Sequence, residues 1–456
     1  MQLTRLGDVV ASMKNGIYKP ASAYADDGVP CLRMYNIESG KIVWRDIKRM
    51  KVSASEQLDY GLLDGDLLVN RVNSRELVGK AAVISAAMEF SVFESKNIRV
   101  RLDTAKALPK FINYQLLARG SRHFASNAQQ VVGMASISQG QLADFPIVLT
   151  DLEEQRVIVA EIEKQFSRLD EAVANLQRVK ANLKRYKASV LKAAVEGRLV
   201  ETEASIAQRE GRSYETGEQL LQRILEERRT KWESKGKYKE PLSHDGQALP
   251  EIPKGWAWCS LDTVSAETLI GLDRGRDQQR EEAIGVRYIK MNNVSMDGDV
   301  QTDDLVYVDA SSDEVVRYEL VNGDLLFNTR NSLELVGKVG IVRAVPARTV
   351  FNNNLMRIRT PDGVSPFFLG YQMCASDFRQ RMEKVKKATT SVAAVYQKDL
   401  LPLAIALPPE SEQIRIVAEV DRHLSIIREV EAEVDTNLQR AQALRQATLA
   451  NAFSVN

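Results

Sequence analysis

Cysteine and histidine are scarce in this chain, with three of each among 456 residues. Cys31, Cys259 and Cys374 stand far apart, which gives neither a disulfide framework nor a metal cage. His123, His244 and His423 are equally scattered and read as structural or solvent-facing. No run of about 18 apolar residues is present, so no membrane-spanning helix is expected. The opening Met1-Gln2-Leu3-Thr4-Arg5 lacks the charged-then-apolar layout of a secretion signal. These absences point to a cytoplasmic protein with no membrane partner.

An excess of one charge is missing too. The 62 Lys and Arg nearly balance the 61 Asp and Glu, for a net charge of +1. Residues 1–150 hold 19 basic against 14 acidic side chains, and 251–408 hold 19 against 21, so any basic surface must be local. Catalytic signatures are equally wanting. Gly79-Lys80 and Gly337-Lys338 lack the upstream glycine of a phosphate loop. There is no Asn/Asp-Pro-Pro-aromatic tetrapeptide of an amino-methyltransferase, no Gly-x-Ser-x-Gly, no His-Glu-x-x-His and no paired-cysteine motif. No catalytic residue and no metal ligand is assigned, and binding is the expected role.

What the chain does have is a long internal repeat. The stretch 60–84 reads YGLLDGDLLVNRVNSRELVGKAAVI and the stretch 318–342 reads YELVNGDLLFNTRNSLELVGKVGIV, with 14 of 25 positions identical and no gap. The same offset, about 258 residues, pairs Glu154-Gln155 with Glu412-Gln413 and Arg99-Val100-Arg101 with Arg357-Ile358-Arg359. A period this long makes each copy a whole domain plus an appendage rather than a solenoid unit. Each copy begins with short β-branched runs bounded by turn residues: 29–34, 66–69, 81–84 and 98–102 in the first, and 286–291, 324–327, 339–342 and 356–359 in the second. Residues 111–118 and 367–373 read as short helices on that sheet, and 214–232 as a helix in the polar stretch between the copies.

Each copy then becomes helical. Ile162, Leu169, Leu176, Leu183 and Val190 recur every seven residues in one helix, with Val159, Phe166 and Val173 alongside. Val420, Ile427, Val434 and Ala441 do so in the other, with Val417, Leu424 and Leu438 alongside. These are coiled-coil seams of about four heptads. The two helices are each other's nearest candidate partners; the alternative is that each packs separately on its own domain.

The candidate binding residues are polar and lie at corresponding points of the two copies. Arg33, Tyr35 and Asn36 correspond approximately to Lys290, Asn292 and Asn293. Asn70, Arg71, Asn73, Ser74 and Arg75 correspond to Asn328, Thr329, Asn331, Ser332 and Leu333, with Arg330 supplying a guanidinium. Asn and Arg form paired hydrogen bonds with adenine and guanine edges in the major groove. Lys80 and Lys338 would hold phosphates as point charges, and Lys19 joins this set. Two loops before each copy's last strand complete it: Gln129-Gln130 through Ser136, and Lys384, Lys386-Lys387 with Thr389-Thr390-Ser391. The competing reading is that Asn, Ser and Gly here simply build turns around a sheet.

The order domain, helix, domain, helix, together with Gly65-Asp66-Leu67-Leu68, Gly323-Asp324-Leu325-Leu326 and the run from Leu407 to Ile414, resembles the specificity subunit of type I restriction–modification enzymes. The run 191–199 resembles that family's ending of the central helix, while Leu149-Thr150-Asp151-Leu152 departs from its usual two prolines. The resemblance implies an α+β fold: two mixed target recognition domains, 1–150 and 251–408, joined by helices 151–200 and 409–456 in an antiparallel coiled coil with a pseudo-twofold repeat, and a polar, partly helical linker at 201–250. It implies double-stranded DNA as a partner, read as a bipartite asymmetric site, with the helices as spacer and docking surface for two methyltransferase subunits. Restriction and translocase subunits would complete the assembly. S-adenosylmethionine, ATP and Mg would all sit on those partners, with no cofactor on this chain. A helix of about 40 residues spans roughly 60 Å, which suits two half-sites about one duplex turn apart. Three other classes compete: a free-standing repressor-like DNA binder, a coiled-coil scaffold that binds no nucleic acid, and a fused restriction enzyme, which the missing catalytic motifs argue against.

Overall fold

A computed structural model describes all residues except 132, 233–236, 247–248, 389–391 and 455–456. The chain divides into two units, Met1–Arg178 with Val434–Asn456, and Val179–Glu433. The division runs through both long helices, Leu152–Val195 of 44 residues and Glu410–Ala452 of 43.

In the first unit a four-stranded sheet runs Val10–Asn15, Asn97–Leu102, Leu67–Asn70, Ala81–Val83. In the second, the order Glu267–Ile270, Leu355–Arg359, Leu325–Asn328, Val339–Ile341 repeats it. A two-stranded ribbon also recurs, Gln2–Arg5 with Pro146–Leu149 and Ala257–Ser260 with Ala404–Leu407. The expected strands within these sheets are present with ends shifted by a residue, while the run expected at 29–34 falls in the longer strand Tyr24–Leu32 and that at 286–291 in Val286–Ile289.

The repeated Gly-Asp-Leu-Leu explains itself in this setting. Gly65 and Gly323 take φ of 81° and 92°, a left-handed turn that glycine enters without a Cβ clash. The buried carboxylate that follows stops the turn: Asp66 accepts from the Leu63 amide at 2.8 Å and Asp324 from the Val321 amide at 2.9 Å. Arg101 reaches Asp66 at 2.9 Å from the neighbouring strand, and Arg359 reaches Asp324 at 2.7 Å. The two leucines then point to opposite faces, as strand geometry requires. Leu67 enters the core that the long helices cover and Leu68 a separate smaller core, as Leu325 and Leu326 do in the second unit. Both faces of this central strand are thus buried, which is why its residues are apolar without alternation.

Several elements lie beyond the sequence expectations. Helices Ala54–Tyr60 and Ser312–Tyr318 each begin in a capping box, Ser53 with Glu56 and Ser311 with Glu314. Helix Glu203–Glu210 precedes the expected linker helix, which spans Gly217–Thr230 and buries Leu220 and Ile224 on the second unit. The stretches read as loops at 129–136 and 384–388 form the strands Gln129–Val131, Met134–Ser136 and Lys387–Ala388.

Removing Asp324 leaves the Val321 amide without its acceptor and takes from Arg359 its closest carboxylate, leaving it the Glu319 carbonyl and Glu267. Asp324→Ala is expected to cost about 2–4 kcal/mol, read as a lower thermal midpoint. A variant melting within about 1 °C of the parent would contradict this role for the turn.

Candidate nucleic-acid interface

The polar candidates separate into two groups by where their side chains go. In the first unit, Asn73 Nδ2 donates to Asn70 Oδ1 at 2.7 Å, Asn70 Nδ2 to Asn97 Oδ1 at 3.2 Å, and Asn97 Nδ2 to the Leu32 carbonyl at 3.2 Å. This chain of amides ties the ends of three strands together. In the second unit Asn331 donates to Asn328 at 2.9 Å, and Asn328 to the Asn354 carbonyl at 3.0 Å. Asn36 is buried, accepting from the Arg33 amide at 2.9 Å and donating to the Val43 and Arg45 carbonyls. Asn293 accepts from the Lys290 amide in the same way. Lys80 and Lys338 turn inward, onto the Met34 carbonyl at 3.3 Å and the Met291 carbonyl at 2.7 Å. Burial holds both ammonium groups below the usual lysine range.

What these amides and lysines support is a tip. In the first unit Met134–Ser136 pairs on one side with Gln129–Val131 and on the other with Val72–Asn73. In the second, Ala393–Ala394 pairs with Lys387–Ala388 and with Arg330–Asn331. The two stretches singled out separately in each copy are therefore one three-stranded patch, followed by the turn at Ser74 or Ser332. Gln129 and Arg75 are exposed there, Arg75 bonding the Ala125 carbonyl at 2.9 Å. Gln130 contributes its backbone to the pairing. Arg330, Ser332 and Asn292 are exposed in the second unit.

Three groups stand out at the first tip. Tyr35 is 64% exposed, with the Arg33 guanidinium 5.5 Å from its ring. Arg33 and Arg71 each keep a buried Nε without a hydrogen-bond partner among the described residues. A buried guanidinium donor left open is costly within a fold, and both lie at strand ends joined by the asparagine chain. The remaining lysines are engaged: Lys19 with Glu56 at 2.7 Å, Lys290 with Gln279 at 3.0 Å, Lys386 with Glu383 at 2.6 Å and Lys387 with Asp399 at 2.8 Å. Thr389 and Thr390 lie outside the described residues. Sequence reasoning passed over Tyr18, which is 84% exposed beside Lys19; its aromatic ring next to a lysine was the available signal.

No family model matches the sequence. The specificity subunit of the type I restriction enzyme EcoKI from Escherichia coli (strain K12) is 22% identical over 435 residues, which cover 94% of this chain and 82% of that protein. That of EcoBI from Escherichia coli is 22% identical over 461 residues, covering 98% and 84%. Along nearly its whole length the chain is similar to type I restriction enzyme specificity subunits. A chain from a solved type I R-M system, determined in a study of its assembly and conformational transition, shares its fold, with a TM-score of 0.63, 19% identity and coverage of 99% of this chain and 97% of that one.

The long helices bury the heptad positions unevenly. Ile162, Val190, Val420, Ile427 and Val434 are buried, whereas Leu169, Leu176, Leu183 and Leu438 are half-buried. In the first unit the helices run antiparallel: Thr448 donates to Gln165 at 3.1 Å, and Arg445 pairs with Asp170 further along. In the second, Tyr186 meets His423 at 2.9 Å, while Val190, Leu191 and Ala194 share a core with Ile416 and Val420, again antiparallel. Each helix also packs on its domain, as Tyr114 against Phe166 and Trp256 donating to Glu412 at 2.9 Å illustrate. Cys31 and Cys259 are buried, and burial pushes both thiols up to about 12. Among the described residues no group of three His, Cys, Asp or Glu is placed to hold a metal ion, and no helix is long and apolar enough to cross a membrane.

The inward lysines carry a pH signature. Because burial lowers the folded-state pKa of Lys338, the unfolded state binds more protons between that value and about 10.5, so stability rises with pH across this window. Lys338→Met is expected to remove that part of the rise, seen as a smaller gain in thermal midpoint for the variant between about pH 8 and pH 10. Parallel curves for parent and variant would show that Lys338 is solvated instead.

Proposed function

We propose that the chain is the DNA-reading subunit of a type I restriction–modification enzyme. Its two domains each read one half of a bipartite, asymmetric site. The support is the tip of the first unit, where the exposed Tyr35 ring with Arg33 beside it, and exposed Arg75 and Gln129, stand on a frame of internally satisfied amides. Arginine guanidinium groups suit phosphate oxygens or guanine edges, and the differing second tip, with Arg330, Asn292 and Ser332 exposed, suits a different half-site.

On this reading the asparagines hold the reading residues and do not read bases themselves. Arg33, Tyr35, Arg71, Arg75 and Gln129 meet one half-site, and Arg330, Asn292 and Ser332 the other. The long helices set the length of unread DNA and present docking surfaces to two methyltransferase subunits. S-adenosylmethionine, ATP and Mg act on those subunits and on the restriction and translocase subunits, so that this chain directs the chemistry without performing it. The near-neutral charge fits an assembly in which partners share the phosphate grip.

The test uses the chain together with its methyltransferase. Arg71→Ala and Arg330→Ala are each expected to reduce site modification about 10-fold or more, since one paired base contact contributes about 1–3 kcal/mol. Thermal midpoints should stay unchanged. Full modification by the double variant would refute this assignment of the reading residues.

A further inference from the structure

The heads of the two long helices share an attachment that the DNA-reading proposal does not use. Gln155 and Gln413, both fully buried, lie at corresponding positions in the first turns. Gln155 Oε1 accepts from the Leu108 amide at 2.8 Å, and its Nε2 donates to the Lys106 carbonyl at 2.9 Å and the Thr150 carbonyl at 2.8 Å. Gln413 repeats all three bonds in the second unit: from the Ser365 amide at 2.7 Å, and to the Gly363 and Pro408 carbonyls at 3.1 and 3.0 Å. Leu108 and Ser365 each stand directly before the short helix of their domain, Pro109–Gln115 and Pro366–Cys374.

A second tie joins the same short helix to the same long helix. In the first unit Lys110 reaches Glu163 at 2.5 Å and the Tyr114 ring packs edge-on against Phe166, and in the second Tyr371 donates to Asp421. The second pair is braced by Arg343, which reaches Asp421 at 2.7 Å. Glu163 and Asp421 each lie eight residues beyond the glutamine of their helix, about 12 Å along the axis. One attachment fixes a point on a helix and leaves it free to pivot. Two attachments about 12 Å apart also fix its direction.

We infer that Gln155 with Lys110–Glu163, and Gln413 with Tyr371–Asp421, are positioning residues that set the direction of each long helix against its own domain and so confine the enzyme to one spacer length. This rests on the proposed function for its DNA consequence and on the two-point geometry for its mechanical one. The residues read no bases; they determine at what separation the bases are read.

Two measurements separate the levels. In the full-length chain with Cys374→Ala, nitroxide labels on Ser126→Cys and Ala174→Cys, both exposed in the first unit, report the angle between domain and helix. Gln155→Met with Lys110→Met is expected to widen that distance distribution about twofold. If this double variant does not fold, Lys110→Met alone, which removes only the Glu163 ion pair, should widen it to a smaller extent. With the methyltransferase present, duplexes whose spacer is one base pair too long or too short should be modified at least about fivefold better relative to the correct length, with the half-site bases unchanged. An unchanged distribution, or unchanged spacer stringency in a folded variant, overturns the inference. If the parent chain modifies no bipartite site, the proposed function and with it the spacer consequence fail, while the label widths still decide the two-point attachment.

Discussion

One buried amide at the head of each long helix anchors that helix to its own domain. Gln155 and Gln413 satisfy every donor and acceptor in reach, including the carbonyl just before their own helix, and an orphaned backbone group at a buried helix end would be costly there. A glutamine is suited to this because its amide donates and accepts at once, which neither glutamate nor a hydroxyl side chain does in the same reach. The rest of the architecture depends on that connection. Reading domains that swivelled on their helices would leave the coiled-coil seams nothing definite to space.

Within each unit the division of labour is equally physical. The central strand buries both faces, the arginine–aspartate pair closes its turn, and the asparagine chain pins its far end to neighbouring strands. The strand, the arginine–aspartate pair and the Asn331–Asn328 bond recur in the second unit, whereas Leu355 stands in place of Asn97 and Asn328 bonds the Asn354 carbonyl. The tip itself does not recur. Arg33, Tyr35 and Arg71 of the first unit correspond to Lys290, Asn292 and Thr329 of the second. A duplicated frame with diverged tips is the arrangement an asymmetric target requires.

Much of this was legible in the chain. The repeat, the strands and the helices with heptad seams follow from identity and periodicity, which survive reading one residue at a time. The fate of individual polar side chains does not. Asn73 and Asn36 look the same in sequence whether their amides face a ligand or close a turn, and here they close turns. Lys80 likewise cannot be told from a phosphate-binding lysine until the Met34 carbonyl is seen above it. The small strands at Gln129–Val131 and Lys387–Ala388 are too short for a period to register and exist only through long-range pairing. Two helices were legible and missed, because the Ser53–Glu56 and Ser311–Glu314 boxes carried the signal.

The central claim is modular reading: one domain, one half-site. Exchanging residues 1–150 for the corresponding domain of a relative, and mapping modified bases across the host genome before and after, measures it directly. The account predicts that one half of the recognised site changes while the other half and the intervening length persist. A change in both halves, or in neither, would contradict it.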